Sequence, residues 1–514
     1  MLDVWRGIAA ALDSFAMLPS LVQAIAPSLP SPKLHDVAPP QEQRDRMDEY
    51  IREVRRLFTA PLQTTNLLSY SGKLQEQFKV KLQASDICML PSYNHTLPTG
   101  HERGTFLALD VGGSTFRVAL VRLCGKDSGD MSMRIVKMCT FKINKKIRDL
   151  EGHAFFEWMA ERVEEVLSDP EIRELAEEET LSMGLAWSFP IEQTSIRSGN
   201  LLDMGKGFRA MQGLKGQDLG DLIMKACRAK NLNVRMDAMV NDSSATLLSK
   251  AYRDSSTGLA LILGTGTNCA VHLPVSALSH AKFGVRPQSW HEKAKHVVVN
   301  TEFSMFGKNI LPTTRWDDYL NTMHTHPDFQ PFEHLISGRY LGEIVRLILL
   351  EAIQTAQLFG GDVPEAFLEP YSLETGTIAV FESDDTPTLS KALASLQASH
   401  PLTKQPSTLE LHYIRQVCQF VSHRAAAYLA AGLHALWSLR ATAEGLDLSD
   451  AGHLTVSCNG SVIEKYPSFR GLCQSYLDEL TVMSGAEKHS VVLEMSDESA
   501  IYGAAVAACC LDET

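Results

Sequence analysis

Between the apolar runs Leu107-Ala-Leu and Phe116-Arg-Val-Ala-Leu-Val121 stand Asp110, Gly112, Gly113, Ser114 and Thr115. Two strand-like segments joined by a glycine turn make a β-hairpin. A turn without Cβ atoms lets backbone N–H groups approach an anion, and the hydroxyls of Ser114 and Thr115 add donors. The anion such a loop grips is a phosphate. Asp110 would repel it unless a cation lies between them, and the hard, oxygen-seeking ion suited to that place is Mg²⁺. An ordinary hairpin carries the same glycines, so this stretch alone leaves both readings open.

A second copy favours the phosphate. Leu259-Ala-Leu-Ile-Leu-Gly-Thr-Gly-Thr-Asn-Cys-Ala-Val repeats the pattern, with Gly264 and Gly266 in the loop and Thr267 where the first copy has Thr115. Two such hairpins imply a duplicated architecture whose loops face each other across a cleft and hold one nucleotide from both sides. The second copy lacks the aspartate, so the metal falls to Asp110. Further chemistry gathers at Ala238-Met-Val-Asn-Asp-Ser-Ser, where an apolar strand delivers Asn241 and Asp242 and an Ala- and Leu-rich helix begins. Asp242 with Ser243 suits a helix N-cap. A carboxylate at a strand's carboxyl end, in a cleft between phosphate loops, also suits a general base for phosphoryl transfer.

The elements that hold these residues come from a chain of 514 residues, 45% hydrophobic and 21% charged, long enough for two cores. A net charge of -13 argues against nucleic acid or an anionic membrane as partner. A nucleotide remains allowed, because backbone amides and a metal ion bind phosphate even in a negative overall field. Ten scattered cysteines with no CxxC read as reduced, small hydrophobes of an intracellular protein. Trp5, Ile8, Leu12 and Phe15 recur at helical spacing before Pro19, and Asp3 and Asp13 speak against a signal or transit peptide. That helix packs on its own domain, frays, or docks weakly on an organelle surface such as the mitochondrial one; the sequence leaves these open. Residues 27–40 read as a Pro- and Ser-rich linker and 41–57 as a solvated helix. Helices are predicted over 155–167, 171–179, 341–358 and, long and buried, 411–439. No run reaches the roughly 20 apolar residues of a membrane span, so a cytoplasmic protein is expected.

Met89-Leu-Pro-Ser-Tyr and Leu97-Pro-Thr-Gly-His-Glu-Arg-Gly104, leading into Phe106-Leu-Ala-Leu-Asp-Val-Gly-Gly, resemble the lead-in of the eukaryotic hexokinase family. The resemblance runs from about Gln41 to the C-terminus with the motifs in order. It implies an α/β, two-domain actin-like ATPase fold of ribonuclease H-like topology with an inter-domain cleft. The expected division is an N-terminal helix and linker over 1–40, a large domain of 41–103 and 243–498, and a small domain of 104–242 and 499–514. The implied activity is transfer of the ATP γ-phosphoryl group to the 6-hydroxyl of a hexose, with ATP and Mg²⁺ as cofactors and no nucleic acid as partner. Position by position, the family's sugar ligands fall on Ser188, Lys206, Asn241, Asp242, Asn268, Glu302, Gln330 and Glu333, with Asp242 the base and Lys206 a second catalytic residue. Such amides and carboxylates supply the donors and acceptors that a buried polyol needs. The nucleotide side takes in Asp110, Gly112, Gly113, Ser114, Thr115, Arg117, Gly264, Thr265 and Gly266, together with Asn459, Gly460 and Ser461, where the family binds adenosine.

Departures from the family pattern leave the substrate open. Family members typically carry Gly-Gly-Thr-Asn where this chain has Gly112-Gly-Ser-Thr, Trp-Thr-Lys-Gly-Phe where it has Met204-Gly-Lys-Gly-Phe, and Asp-Gly-Ser where it has Asn459-Gly-Ser. The terminal Gly-Ser-Gly-x-Gly-Ala-Ala is here Ser499-Ala-Ile-Tyr-Gly-Ala-Ala. Met204-Gly205 would trade a hydrogen bond for space beside the sugar. That makes an N-acetylglucosamine kinase of the same family, acting on an amino-hexose, the runner-up to a glucose-type hexose kinase. A sugar sensor that has lost catalysis is a third reading, opposed by the retention of Asp242, a base that a sensor does not need.

Overall fold

The computed structural model describes residues 38–510 apart from Glu171, residues 173–178 and Lys206. The helix expected before Pro19, the linker up to residue 37 and most of the helix expected over 171–179 therefore lie outside the described residues. Thirteen strands are described: β1 (Leu90–Pro91), β2 (Arg103–Val111), β3 (Thr115–Cys124), β4 (Met133–Lys142), β5 (Leu181–Trp187), β6 (Ile191–Gln193), β7 (Gly199–Leu201), β8 (Val234–Val240), β9 (Thr257–Leu263), β10 (Thr267–Pro274), β11 (His296–Asn300), β12 (Leu454–Asn459) and β13 (Val491–Met495).

They make two large sheets and the two-stranded ribbon β6–β7. One large sheet runs β4-β3-β2-β5-β8 and the other β1-β11-β10-β9-β12-β13. In both, a three-strand antiparallel meander begins with the glycine hairpin, one parallel strand pairs with the first strand of that hairpin, and a second parallel strand pairs with that one in turn. The repeated loop motif thus belongs to a repeated sheet. Both hairpins form as the sequence requires, with Val111 opposite Phe116 and Leu263 opposite Thr267.

The principal helices are α1 (Gln41–Thr59), α2 (Thr64–Gln83), α3 (His153–Leu167), α4 (Leu219–Ala229), α5 (Asp242–Ala251), α6 (Pro331–Ile336), α7 (Gly338–Ala356), α8 (Thr408–Ala443), α9 (Phe469–Met483) and α10 (Ser499–Cys509). α3 and α4 cover the outer face of the five-stranded sheet in one core. Its inner face packs α10 together with Ala245, Leu248 and Tyr252 of the α5 segment. Leu247 and Ala251, on another side of α5, meet Ala260, Ala270 and Val298 of the six-stranded sheet. The opposite face of that sheet carries the largest core, including α1, α2, α7, α8 and α9. α5 and α10 are therefore the filling between the two sheets. Strands covered on both faces read as near-continuous apolar runs, which is why Leu107 to Leu109 and Leu259 to Leu261 carry no polar alternation.

α1 is more than a solvated helix. Met47, Tyr50, Ile51, Val54 and Phe58 are buried on one face while its charges lie outside. The stretch 196–208 contributes only the short strand Gly199–Leu201, and Gly205 and Gly207 beyond it take left-handed φ values of 61° and 77°. Among the described residues, no helix is long and apolar enough to cross a membrane, and all ten cysteines are free thiols.

Candidate functional site

Parallel strands end at the same edge of a sheet, and loops that follow their carboxyl ends converge there. β2, β5 and β8 are neighbours in parallel, so the first glycine loop, Ser188, Asn241 and Asp242 share one edge. Ser188 is held beside the loop by its N–H donating to Val111 O at 3.2 Å. Within the loop, Gly112 N–H donates to Thr115 O at 3.0 Å and Ile143 N–H to Ser114 O at 2.8 Å. Gly112 does not take a positive φ, and a Cβ there would meet nothing closer than 3.7 Å. Neither backbone strain nor packing demands glycine at that position, and the space beside it is open.

Asp110 faces Arg117 across the hairpin. Arg117 Nε donates to Asp110 Oδ2 at 2.7 Å, and a terminal nitrogen contacts the same oxygen at 2.6 Å. Burial pushes the Asp110 carboxyl upward, with Arg117 pulling against it. Oδ1 accepts no hydrogen bond among the described residues, which suits a carboxylate giving one oxygen to a hard cation. No group of three or more His, Cys, Asp and Glu that could hold a metal occurs among the described residues. A site with one carboxylate and substrate phosphates is the usual Mg²⁺ arrangement.

The cap on α5 is Asn241, not Asp242. Asn241 Oδ1 accepts from the N–H groups of Ser243 and Ser244 at 2.9 and 3.3 Å. Asp242 Oδ1 accepts from Asn241 Nδ2 at 2.9 Å and from Ser243 N–H at 2.7 Å. The amide cannot ionise and suits the constitutive capping role, while the half-buried carboxylate is fixed in position at the edge.

The six-stranded sheet supplies the facing set. Asn268 Nδ2 donates to Asn300 Oδ1 at 2.9 Å, and Asn300 Nδ2 donates to Glu302 Oε1 at 2.8 Å. Asn300 is a residue the motifs did not single out; its place two residues before Glu302 was the available signal. Glu302 and Gln330 hold left-handed φ values of 50° and 56°, uncommon for residues with side chains. Gln330 Nε2 donates to Ser304 Oγ at 3.2 Å. Glu333 Oε2 accepts from Thr267 N–H at 2.9 Å, and a Cβ on Gly266 would lie 2.6 Å from that oxygen. Gly266 is thus glycine so that Glu333 can reach the loop. Burial raises the Glu302 carboxyl, Asn300 opposes this, and repulsion from Asp242 and Glu333 raises it further. Asp242 and Glu333 are therefore both within electrostatic reach of Glu302.

The second loop is clamped from both sides. Gly264 O accepts from Gly338 N–H at 2.8 Å, and Thr265 O accepts from Ser337 Oγ at 2.9 Å and Arg339 N–H at 3.1 Å. Asn459 pairs with Ile262 in register, and a Cβ on Gly264 would stand 3.3 Å from Ser461 N. Gly460, at φ 120°, has no room for a side chain against Leu263 O. The loop 264–266 and the turn 459–461 are consequently one surface.

Two expected site features stand apart. Lys206 lies outside the described residues. Met204, expected to open space beside the sugar, is 2% exposed and packs in the core of the five-stranded sheet with Trp187, Phe189 and Phe208. Its side chain fills an apolar core position, and a Cβ on the neighbouring Gly205 would meet nothing within 4 Å.

Two family models, each described as hexokinase, match residues 51–252 and 258–510. Hexokinase-2 of Oryza sativa subsp. japonica is 32% identical over 432 residues, covering 82% of this chain and 83% of that protein. Hexokinase-1 of Spinacia oleracea is 33% identical over 427 residues, covering 83% of each. Among solved structures, the hexokinase from Schistosoma mansoni complexed with glucose aligns with a TM-score of 0.74 at 28% identity, over 90% of this chain and all of that one.

Proposed function

The chain belongs to the hexokinase family, and from that premise we propose how its residues divide the work of a hexose kinase. It is a sugar phosphotransferase with a hydroxyl acceptor, of a family that uses ATP and Mg²⁺ generally. In the proposed reaction Asp242 accepts the proton of the hexose 6-hydroxyl as its oxygen bonds to the γ-phosphorus and the bond to the ADP oxygen breaks. Ser188, Lys206, Asn241, Asn268, Glu302, Gln330 and Glu333 orient the ring hydroxyls. Gly112, Gly113, Ser114, Thr115, Gly264, Thr265 and Gly266 present donors to the phosphates, with Asn459, Gly460 and Ser461 on the adenosine side. Asp110 would hold the metal through Oδ1, and the ion would supply charge neutralisation on the phosphates.

The observation that carries this reading is that Asp242, at the end of β8, and Glu333, on α6, both raise the cost of ionising the buried Glu302 that follows β11. Carboxylates are held together against repulsion where a polyol satisfies them. Dividing the chain at residue 242 into two closing lobes is part of the proposal, supported by α5 and α10 packing between the sheets; closure would exclude water from the transfer.

Glucose or a close pyranose is the proposed acceptor, supported by the glucose-bound Schistosoma mansoni relative. The N-acetylglucosamine branch draws no support from the relatives named above. One coupled ADP-release assay run in parallel on glucose, fructose, mannose, glucosamine and N-acetylglucosamine tests this. Glucose should have the highest kcat/KM; N-acetylglucosamine ranking first would overturn the sugar assignment, and sugar-independent ADP release alone would overturn the transfer.

A further inference from the structure

Building on the assignment of Asp110 to the metal, we propose that Glu498 is a positioning residue for metal–nucleotide binding, acting through Arg117. Arg117 spends Nε and one terminal nitrogen on Asp110 Oδ2 and donates its other terminal nitrogen, Nη1, to Glu498 Oε2 at 2.5 Å. A planar guanidinium held at both ends by carboxylates cannot swing, so Asp110 is fixed with Oδ1 left for the cation.

Asp110 and Arg117 alone sum to zero and would offer a divalent cation no net attraction. Glu498 brings the triad to minus one. It thereby returns to this edge the negative charge that Arg117 would otherwise cancel. Glu498 reaches that place from the other sheet: it follows β13 and precedes α10 in a left-handed conformation, φ 47° and ψ 30°. The turn leading to it is tethered by Asn459 Nδ2 donating to Ser496 O at 3.0 Å. The triad therefore links the first phosphate loop to the strand end next to the 459–461 turn.

The test uses the full chain with Mn²⁺ as a spectroscopic probe. Binding of Mn²⁺–ADP in the presence of glucose is followed by electron paramagnetic resonance for wild type, Glu498→Gln, Glu498→Asp and the neighbouring control Asp497→Asn. Steady-state constants are measured alongside. Glu498→Gln should weaken Mn²⁺–ADP and raise the KM for Mg²⁺–ATP by about tenfold, the order expected for removing one unit charge near a dication at a partly solvated site. The KM for sugar should stay within about twofold, the Asp variant should recover much of the loss, and the Asp497 control should match wild type. Unchanged Mn²⁺–ADP affinity in Glu498→Gln overturns the inference. So does a loss that appears only together with lower sugar affinity and lower Tm, which marks a structural role. If wild type itself binds no Mn²⁺–ADP, the assignment of Asp110 falls with it.

Discussion

At the scale of single residues, the site sets stability against function. Asp242 is oriented by Asn241 and Ser243, so Asp242→Asn keeps the shape and removes the proton acceptor. Turnover should fall at least about 10²-fold, the scale of a lost general base, with sugar affinity nearly intact by calorimetry. Glu302 makes the opposite case. Burial, with repulsion from Asp242 and Glu333, raises its carboxyl above the ordinary range. The native state then holds this proton more tightly than the unfolded chain does. Its contribution favours folding at low pH and is lost as pH rises through the raised value. Above that raised value the ionised Glu302 is a net cost, so Glu302→Gln should raise Tm at alkaline pH while raising the KM for sugar. A Tm that falls in the Gln variant would show that its ion–dipole contact with Asn300 outweighs the repulsion.

At the scale of elements, the sugar-side residues are aimed by aromatic anchors seated on the long helix. Glu302 precedes Phe303 and Glu333 follows Phe332, and the two rings meet edge to face with centroids 4.5 Å apart. Both lie against Gly432 in α8, where a Cβ would collide with the Phe303 ring and stand 3.0 Å from Phe332. Gly432→Ala should therefore displace both anchors, costing about 1–3 kcal/mol by overpacking and raising the KM for sugar well before kcat changes. Gly471 in α9 is the control: a Cβ there meets open space. Gly471→Ala should stabilise by up to about 1 kcal/mol in urea unfolding, with kinetics unchanged.

At the scale of the molecule, the two sheets are joined by close backbone approach. A Cβ on Gly503 of α10 would overlap the Ala245 carbonyl of α5, and one on Gly184 of β5 would overlap the Ala504 carbonyl. There is no flexible side chain to yield at either point. Gly503→Ala must push α5 and α10 apart, and since α5 packs on both sheets the loss should reach both cores. We expect a lower urea midpoint and hydrogen exchange that accelerates in β5 and β9 together. Faster exchange confined to α10 would mean that the sheets are held by other contacts.

Pieces whose physics is local were legible in the amino-acid sequence. The glycine hairpins, the strands buried on both faces, the long helix and the polar residues at strand ends follow from periodicity, turn chemistry and apolar runs, and the duplication of Asp110's loop in the 264–266 loop was legible as repeated text. The family resemblance supplied the candidate roles. The remaining features depend on contacts between residues far apart in the chain. Arg117 meeting Glu498, Asn300 bridging Asn268 and Glu302, Gly266 yielding to Glu333 and Gly432 yielding to Phe303 leave no periodic trace. The same reason explains Met204: a substitution beside Lys206 reads as a change in the sugar site until packing shows its side chain turned into the core, where apolar burial outweighs any gain from facing a polar ligand.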